Sequence, residues 1–86
     1  MPEICRFYGI IIKMFFEDHY PPHFHAEYGG FEALFEIDTL AVIAGKLPPR
    51  ALGLVMEWAA LHQKELLSLW QNAQEQKPLG KIEPLK

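Results

Sequence analysis

Asp18-His19-Tyr20-Pro21-Pro22-His23-Phe24-His25-Ala26-Glu27-Tyr28-Gly29-Gly30, continuing through Phe31-Glu32-Ala33-Leu34-Phe35-Glu36 to Ile37, is the stretch whose reading decides the fold. Gly29-Gly30 can supply the positive φ that a tight two-residue reversal demands, so the flanking runs read as a β-hairpin. Taken literally, that turn opposes Tyr28 to Phe31, Ala26 to Ala33 and Phe24 to Phe35, all apolar and all on one face. The other face opposes Glu27 to Glu32, His25 to Leu34 and His23 to Glu36. A slip of one residue would send the aromatic rings to the polar side, so the pattern specifies its own register.

Working back from the hairpin, Pro21-Pro22 fixes two φ angles, removes two N–H donors and pushes Tyr20 extended, which makes the preceding loop stiff. The sequence does not decide cis or trans at Pro21 and Pro22, trans being the commoner isomer. Asp18 is expected to form an Asx-type turn that holds the loop. Ile4 to Phe16 is dense in β-branched and aromatic residues on both faces and reads as one central strand.

Working forward, Leu40 to Ala44 reads as a fourth strand after a turn at Asp38-Thr39. Gly45 ends it, and Pro48-Pro49 opens a helix, where proline suits the first turn. Leu52, Val55, Ala59, His62, Leu66, Leu69 and Ala73 recur at alternating three and four spacing, the stripe of a core-facing helix. A helix over 49–75 would be about 40 Å long. Strands span only about 17–20 Å, so part of it would overhang the sheet. Lys77-Pro78 and Gly80 stop it, and Leu79, Ile82 and Leu85 let the tail, 76–86, dock beneath the helix or onto another chain.

The expected architecture is therefore α+β: a four-stranded antiparallel β-meander with one long C-terminal helix on a face. The order is β-β-β-β-α, with strands at 4–16, 23–28, 31–38 and 40–44 and a short extended tail. At 86 residues the chain is one domain, 1–86, and its 50% hydrophobic content is generous for that length. Surplus apolar surface points to a homodimer or a small protein partner.

Formal net charge is −3, and the eight basic residues are scattered, which disfavours nucleic acid as a partner. Residues 1–45 carry two basic and seven acidic side chains, so the hairpin half is the acidic one. The single cysteine, Cys5, excludes an internal disulfide and reads as a strand-packing residue. No apolar run reaches the roughly 18 residues of a membrane span, and no signal peptide is evident, so the expected location is cytoplasmic.

Three of the four histidines lie within seven residues. Period-two geometry puts His23, His25 and Glu27 on one strand face, opposite Glu32 and Glu36. Glu27 facing Glu32 is unfavourable unless a cation, a nearby lysine or histidinium, or solvent relieves it. Imidazoles with a carboxylate suit a divalent metal such as zinc, which gives a candidate metal set of His19, His23, His25 and Glu27. A catalytic reading takes His23 or His25 as general acid–base, oriented by Glu36 or Glu27. The plainer alternative is the solvated face of an amphipathic hairpin, with a histidine bonded to carbonyls of the proline loop. His62 reads as a core or boundary residue. Trp58 and Trp70 read as core or interface anchors, and Trp70, Ile82 and Leu85 are the candidate partner-binding residues.

Several strings together resemble a bacterial family catalogued as domain of unknown function 4160. They are Arg6-Phe7-Tyr8-Gly9-Ile10-Ile11-Ile12-Lys13-Met14, Asp18 through Tyr28, Gly45-Lys46-Leu47-Pro48-Pro49-Arg50, Trp58, His62, Trp70 and Lys81-Ile82-Glu83-Pro84-Leu85. The resemblance spans essentially the whole chain, and Asp-His-x-Pro-Pro-His-Phe-His-Ala is its most specific string. It brings no agreed activity, cofactor or catalytic residues. It implies a neighbouring gene of a second small family, domain of unknown function 2442, and hence a two-gene unit of toxin–antitoxin type. The leading expectation is a protein–protein binding component of such a unit. The alternative is a nuclease-like or metal-dependent enzyme centred on His23 and His25.

Overall fold

A computed structural model describes residues 3–86. These residues form one sheet covered by two helices. The strands are β1 (Glu3–Phe7), β2 (Ile10–Lys13), β3 (His23–Tyr28), β4 (Phe31–Glu36) and β5 (Val42–Gly45), followed by α1 (Pro49–Leu61) and α2 (Gln63–Gln74). All neighbours pair antiparallel in the order β1-β2-β3-β4-β5, an uninterrupted meander. The α+β class and the antiparallel sheet agree with expectation. The strand and helix counts do not.

The expected strand over 4–16 is instead a hairpin. Phe7 pairs with Ile10 across a two-residue turn in which Tyr8 and Gly9 both have positive φ, +49° and +80°. That is the demand of a type I′ reversal, which fits the twist of the flanking strands. A run apolar on both sides hides such a turn, because the alternation that would mark two strands is missing. Gly9 was the remaining signal.

The central hairpin adopts the register read from its sequence, from Tyr28 opposite Phe31 to His23 opposite Glu36. The positive φ falls on Gly29 alone, at +58°, and is not shared with Gly30. Phe24, Ala26, Ala33 and Phe35 are fully buried on the helix-covered face. Phe24 and Phe35 stack with centroids 5.2 Å apart, and Trp58 of α1 meets Phe24 edge-on at 5.9 Å and Phe7 at 5.5 Å. The opposite face carries Arg6, Ile11, Lys13, His25, Glu27, Glu32 and Leu34, none of them fully buried, and at the start of β3 the buried His23.

The expected helix over 49–75 breaks at His62, whose φ and ψ of −126° and 22° lie outside the helical range. Neither proline nor glycine causes the break. Tertiary bonds accompany it: the Gln63 amide donates to the carbonyls of Ile37 and Asp38 at 2.8 and 3.1 Å, and the Gln74 amide donates to the Asp18 carbonyl at 2.8 Å. Those bonds hold both ends of α2 to loops of the sheet, within a body measuring 33 × 25 × 22 Å. A straight helix of about 40 Å would exceed even the 33 Å long axis of that body.

The tail docks on its own chain. Ile82 N–H donates to the Ile4 carbonyl at 2.8 Å, Lys81 Nζ to that of Glu3 at 2.9 Å, and Trp58 Nε1 to that of Glu83 at 2.8 Å. Trp70 and Ile82, expected at a partner surface, are 1% and 5% exposed, so both belong to the core; Leu85 is partly buried against it. Trp70 Nε1 is buried with no hydrogen-bond partner among the described residues. The two tryptophans should therefore answer differently to replacement by phenylalanine. Trp58→Phe loses a bond and leaves a carbonyl short of its donor, whereas Trp70→Phe removes an unpaired donor. We expect Trp58→Phe to destabilise by about 1 kcal/mol more than Trp70→Phe. Urea unfolding of both variants reads the difference, and equal losses would count against the Trp58–Glu83 tie.

Candidate functional site

The strand periodicity and the proline loop together build a cluster that neither makes alone. β3 presents His23 and His25 at alternate positions, and the loop over 14–22 carries Asp18 back across them. Asp18 Oδ2 lies 3.0 Å from His23 Nε2 and 3.2 Å from His25 Nε2. The far nitrogens are held as well. His23 Nδ1 is 2.7 Å from the Pro21 carbonyl, and His25 Nδ1 is 3.2 Å from Glu32 Oε2 across the hairpin. The imidazole centroids are 5.2 Å apart.

Packing fixes the rings further. Phe15 meets His25 edge-on at 4.6 Å, and Trp70 of α2 tilts against His23 at 5.3 Å. The side chains of His23, His25 and Asp18 are 4%, 13% and 17% exposed, so the cluster is almost closed to solvent yet touches it along one edge. Burial raises the pKa of Asp18. The hydrogen-bonding contact with His25, the bond from the His19 N–H and the electrostatic pull of the two imidazoles more than offset that and leave the carboxyl below its usual range. Asp18 is thus an anion pressed against two imidazoles.

Not every expected residue joins. The His19 side chain is 96% exposed and its Nδ1 stands 3.7 Å from Asp18 Oδ1, so it is not placed with the other two rings. Glu27 turns to Lys13, with Nζ to Oε2 at 2.9 Å, which relieves its opposition to Glu32. Glu36, cross-strand from His23, accepts a bond from Thr39 Oγ1 at 3.2 Å. His62 bonds Glu65 at 2.6 Å, far along the chain from the cluster. The Tyr20–Pro21 bond, undecided from sequence, is cis.

Asp18 itself was read only as a turn former. Its Oδ1 accepts the N–H of the next residue, His19, at 3.0 Å and not the bond two residues on that an Asx turn requires, while Oδ2 serves the histidines. Chemically, the cluster can hold a cation between one carboxylate oxygen and two ring nitrogens, or hold a proton between Asp18 and His25. Cys5 offers nothing comparable, since burial pushes its thiol up.

A cleft of about 450 Å³ opens elsewhere, lined by Tyr8, Tyr28, Arg50, Leu54, Glu57 and Leu85 among others. Neither it nor two smaller clefts is lined by Asp18, His23 or His25. Among the described residues, no helix is long and apolar enough to cross a membrane.

No curated protein and no solved structure matches the chain. A family model described as "Domain of unknown function (DUF4160)" matches residues 9–71, which takes in β2 through most of α2 and every member of the Asp18 cluster; the tail string Lys81 to Leu85 lies beyond the match. That match covers well over half of the chain, and with it the protein belongs to the DUF4160 family.

Proposed function

We propose that the protein is a binding component of a two-protein unit and that it engages its partner by strand addition along β5. The observation that carries this is the contrast between the two edges of the sheet. At β1 the tail supplies a backbone N–H to Ile4 and a lysine to Glu3. At β5 all four residues are exposed, with Val42 and Ile43 at 40% and 42%, and the strand contains neither a charge nor a proline. An apolar edge with unpaired backbone groups is a template for another strand, and monomers normally blunt such edges. Extended peptides exploit it by main-chain pairing, with side-chain pockets adding specificity. The proposed partner is a small protein of the domain of unknown function 2442 type, supplying one strand.

Co-expression of the two full chains tests this. We expect a one-to-one complex by light scattering, weakened at least about tenfold by Ile43→Lys, since a charge at an edge opposes strand addition. A complex that survives Ile43→Lys unchanged overturns the reading, as does a chain that already self-associates through this edge.

A second reading, an enzyme acting through His23 and His25, is favoured by one observation: His25 is held between two carboxylates, Asp18 and Glu32. If expression arrests growth, a folded His25→Ala variant that no longer does so supports catalysis. Undiminished arrest removes it.

A further inference from the structure

We propose that Asp18 Oδ2, His23 Nε2 and His25 Nε2 bind one divalent transition-metal ion, zinc fitting best, at a centre independent of the β5 edge. The argument is an accounting of protons. A carbonyl oxygen only accepts, so the 2.7 Å contact to Pro21 places a proton on His23 Nδ1. A neutral ring carries one proton, and His23 Nε2 is then a bare lone pair 3.0 Å from a carboxylate oxygen. His25 repeats the problem, since both of its nitrogens face carboxylates, Glu32 on one side and Asp18 on the other. With Nδ1–H given to Glu32, its Nε2 is also bare toward Asp18.

In that tautomer two lone pairs and a carboxylate oxygen converge on one point. Two extra protons would relieve this, but they would set two imidazolium rings 5.2 Å apart around one shared Asp18 oxygen, with His23 buried and the second carboxylate, Glu32, half-exposed on the far side of His25. One doubly charged cation relieves it with no added proton. The two distances to Asp18 Oδ2 come close to those of such a site. Metal bonds of about 2.0–2.1 Å at tetrahedral angles separate neighbouring donors by about 3.3–3.4 Å. The observed edges are 3.0 and 3.2 Å, and one donor atom from each residue lies within 4.8 Å of the other two.

The outer contacts fit the same reading. Metal-bound histidines pass their other N–H to a backbone carbonyl or a carboxylate, which fixes tautomer and ring orientation. Pro21 and Glu32 occupy those two places. Two nitrogens and one oxygen select against calcium and magnesium, which prefer oxygen throughout. Three protein donors leave a fourth coordination position for water or another ligand.

Titration of the purified full chain with zinc, followed calorimetrically, and with cobalt, followed by its visible spectrum, tests the proposal. One ion per chain is expected. Glu32→Gln, which disturbs only an outer partner, should weaken binding about tenfold; loss of a ligand in His25→Ala or Asp18→Asn should cost more, on the order of 100-fold. His19→Ala and Glu27→Gln should leave affinity unchanged. Ring nitrogen NMR should show Nε2, and not Nδ1, of both His23 and His25 shifting on addition of zinc. Absence of saturable uptake by the unaltered chain overturns the proposal, as does an equal loss in His19→Ala and His25→Ala. So does persistence of protons on both Nε2 atoms in excess zinc. Asp18→Asn preserves side-chain shape, so it remains informative should His25→Ala fail to fold.

Discussion

Gly45→Ala should destabilise the protein by at least about 3 kcal/mol, more than any other single methyl addition at a glycine in the chain. Gly45 closes β5 at φ +71°, a conformation in which an L side chain costs roughly 1–2 kcal/mol. Space adds the larger part. A Cβ there would lie 2.2 Å from the Glu32 carbonyl oxygen and 3.1 Å from Ala33 Cα, both backbone atoms of β4. That carbonyl cannot easily retreat, because it accepts the Lys46 N–H at 3.0 Å and Ala33 is paired with Gly45 in the ladder. Two other glycines serve as graded controls. Gly29→Ala meets the same sign of φ in open space and should cost about 1 kcal/mol. Gly30→Ala meets neither obstacle and should stay within about 0.5 kcal/mol of the parent. Urea unfolding of the three variants gives the ranking. A Gly45→Ala loss no larger than that of Gly29→Ala would mean that β5 does not press against β4 as described. The loss also reaches the site, since the Glu32 side chain on that same residue holds His25.

Legibility in the sequence followed locality. The central hairpin could be read because its pattern and its turn lie within fourteen residues and agree with each other. The Phe7-Tyr8-Gly9-Ile10 reversal could not, since apolar residues on both faces leave no alternation to break and Tyr8 is an unusual occupant of a left-handed position. The break at His62 was hidden for another reason. Its accompanying bonds come from Gln63 and Gln74 to carbonyls 25 to 56 residues away in sequence, and helical periodicity passes straight through it. The tail was readable as a docking segment, but only the fold shows that β1 of the same chain receives it.

The site divided along the same line. His23 and His25 on one face followed from strand period. Which carboxylate would meet them did not, because Glu27 had a closer cation in Lys13 across β2, and that pairing is a matter of register between strands, not of spacing within one. Asp18 carried a signal of its own, a carboxylate at the far end of a proline-stiffened loop that must reverse direction. Reading it as a turn former used one of its oxygens and left the other unassigned.

Phe24→Ala should cost about 3–5 kcal/mol, the range for emptying a buried aromatic position. An 86-residue domain has a total stability of about 4–13 kcal/mol, so this one change brings the fold close to its limit. Phe24 is fully buried, stacked on Phe35 and capped edge-on by Trp58. It also stands between the two histidines, and strand alternation makes its inward direction the reason that they point the other way. Core and cluster are therefore fixed by one set of backbone angles. Phe24→Leu keeps an apolar group in the space and should cost about 1–2 kcal/mol, leaving a folded chain. In that chain the His23 and His25 rings should show broadened NMR signals relative to the parent, while His62, which lies on the helical layer, should not. If Phe24→Leu loosens the core by calorimetry and leaves both strand histidines as sharp as before, then the loop bearing Asp18 orients the rings on its own. The alternation that reads so clearly in Phe24-His25-Ala26 would then be a guide to the fold and not to the site.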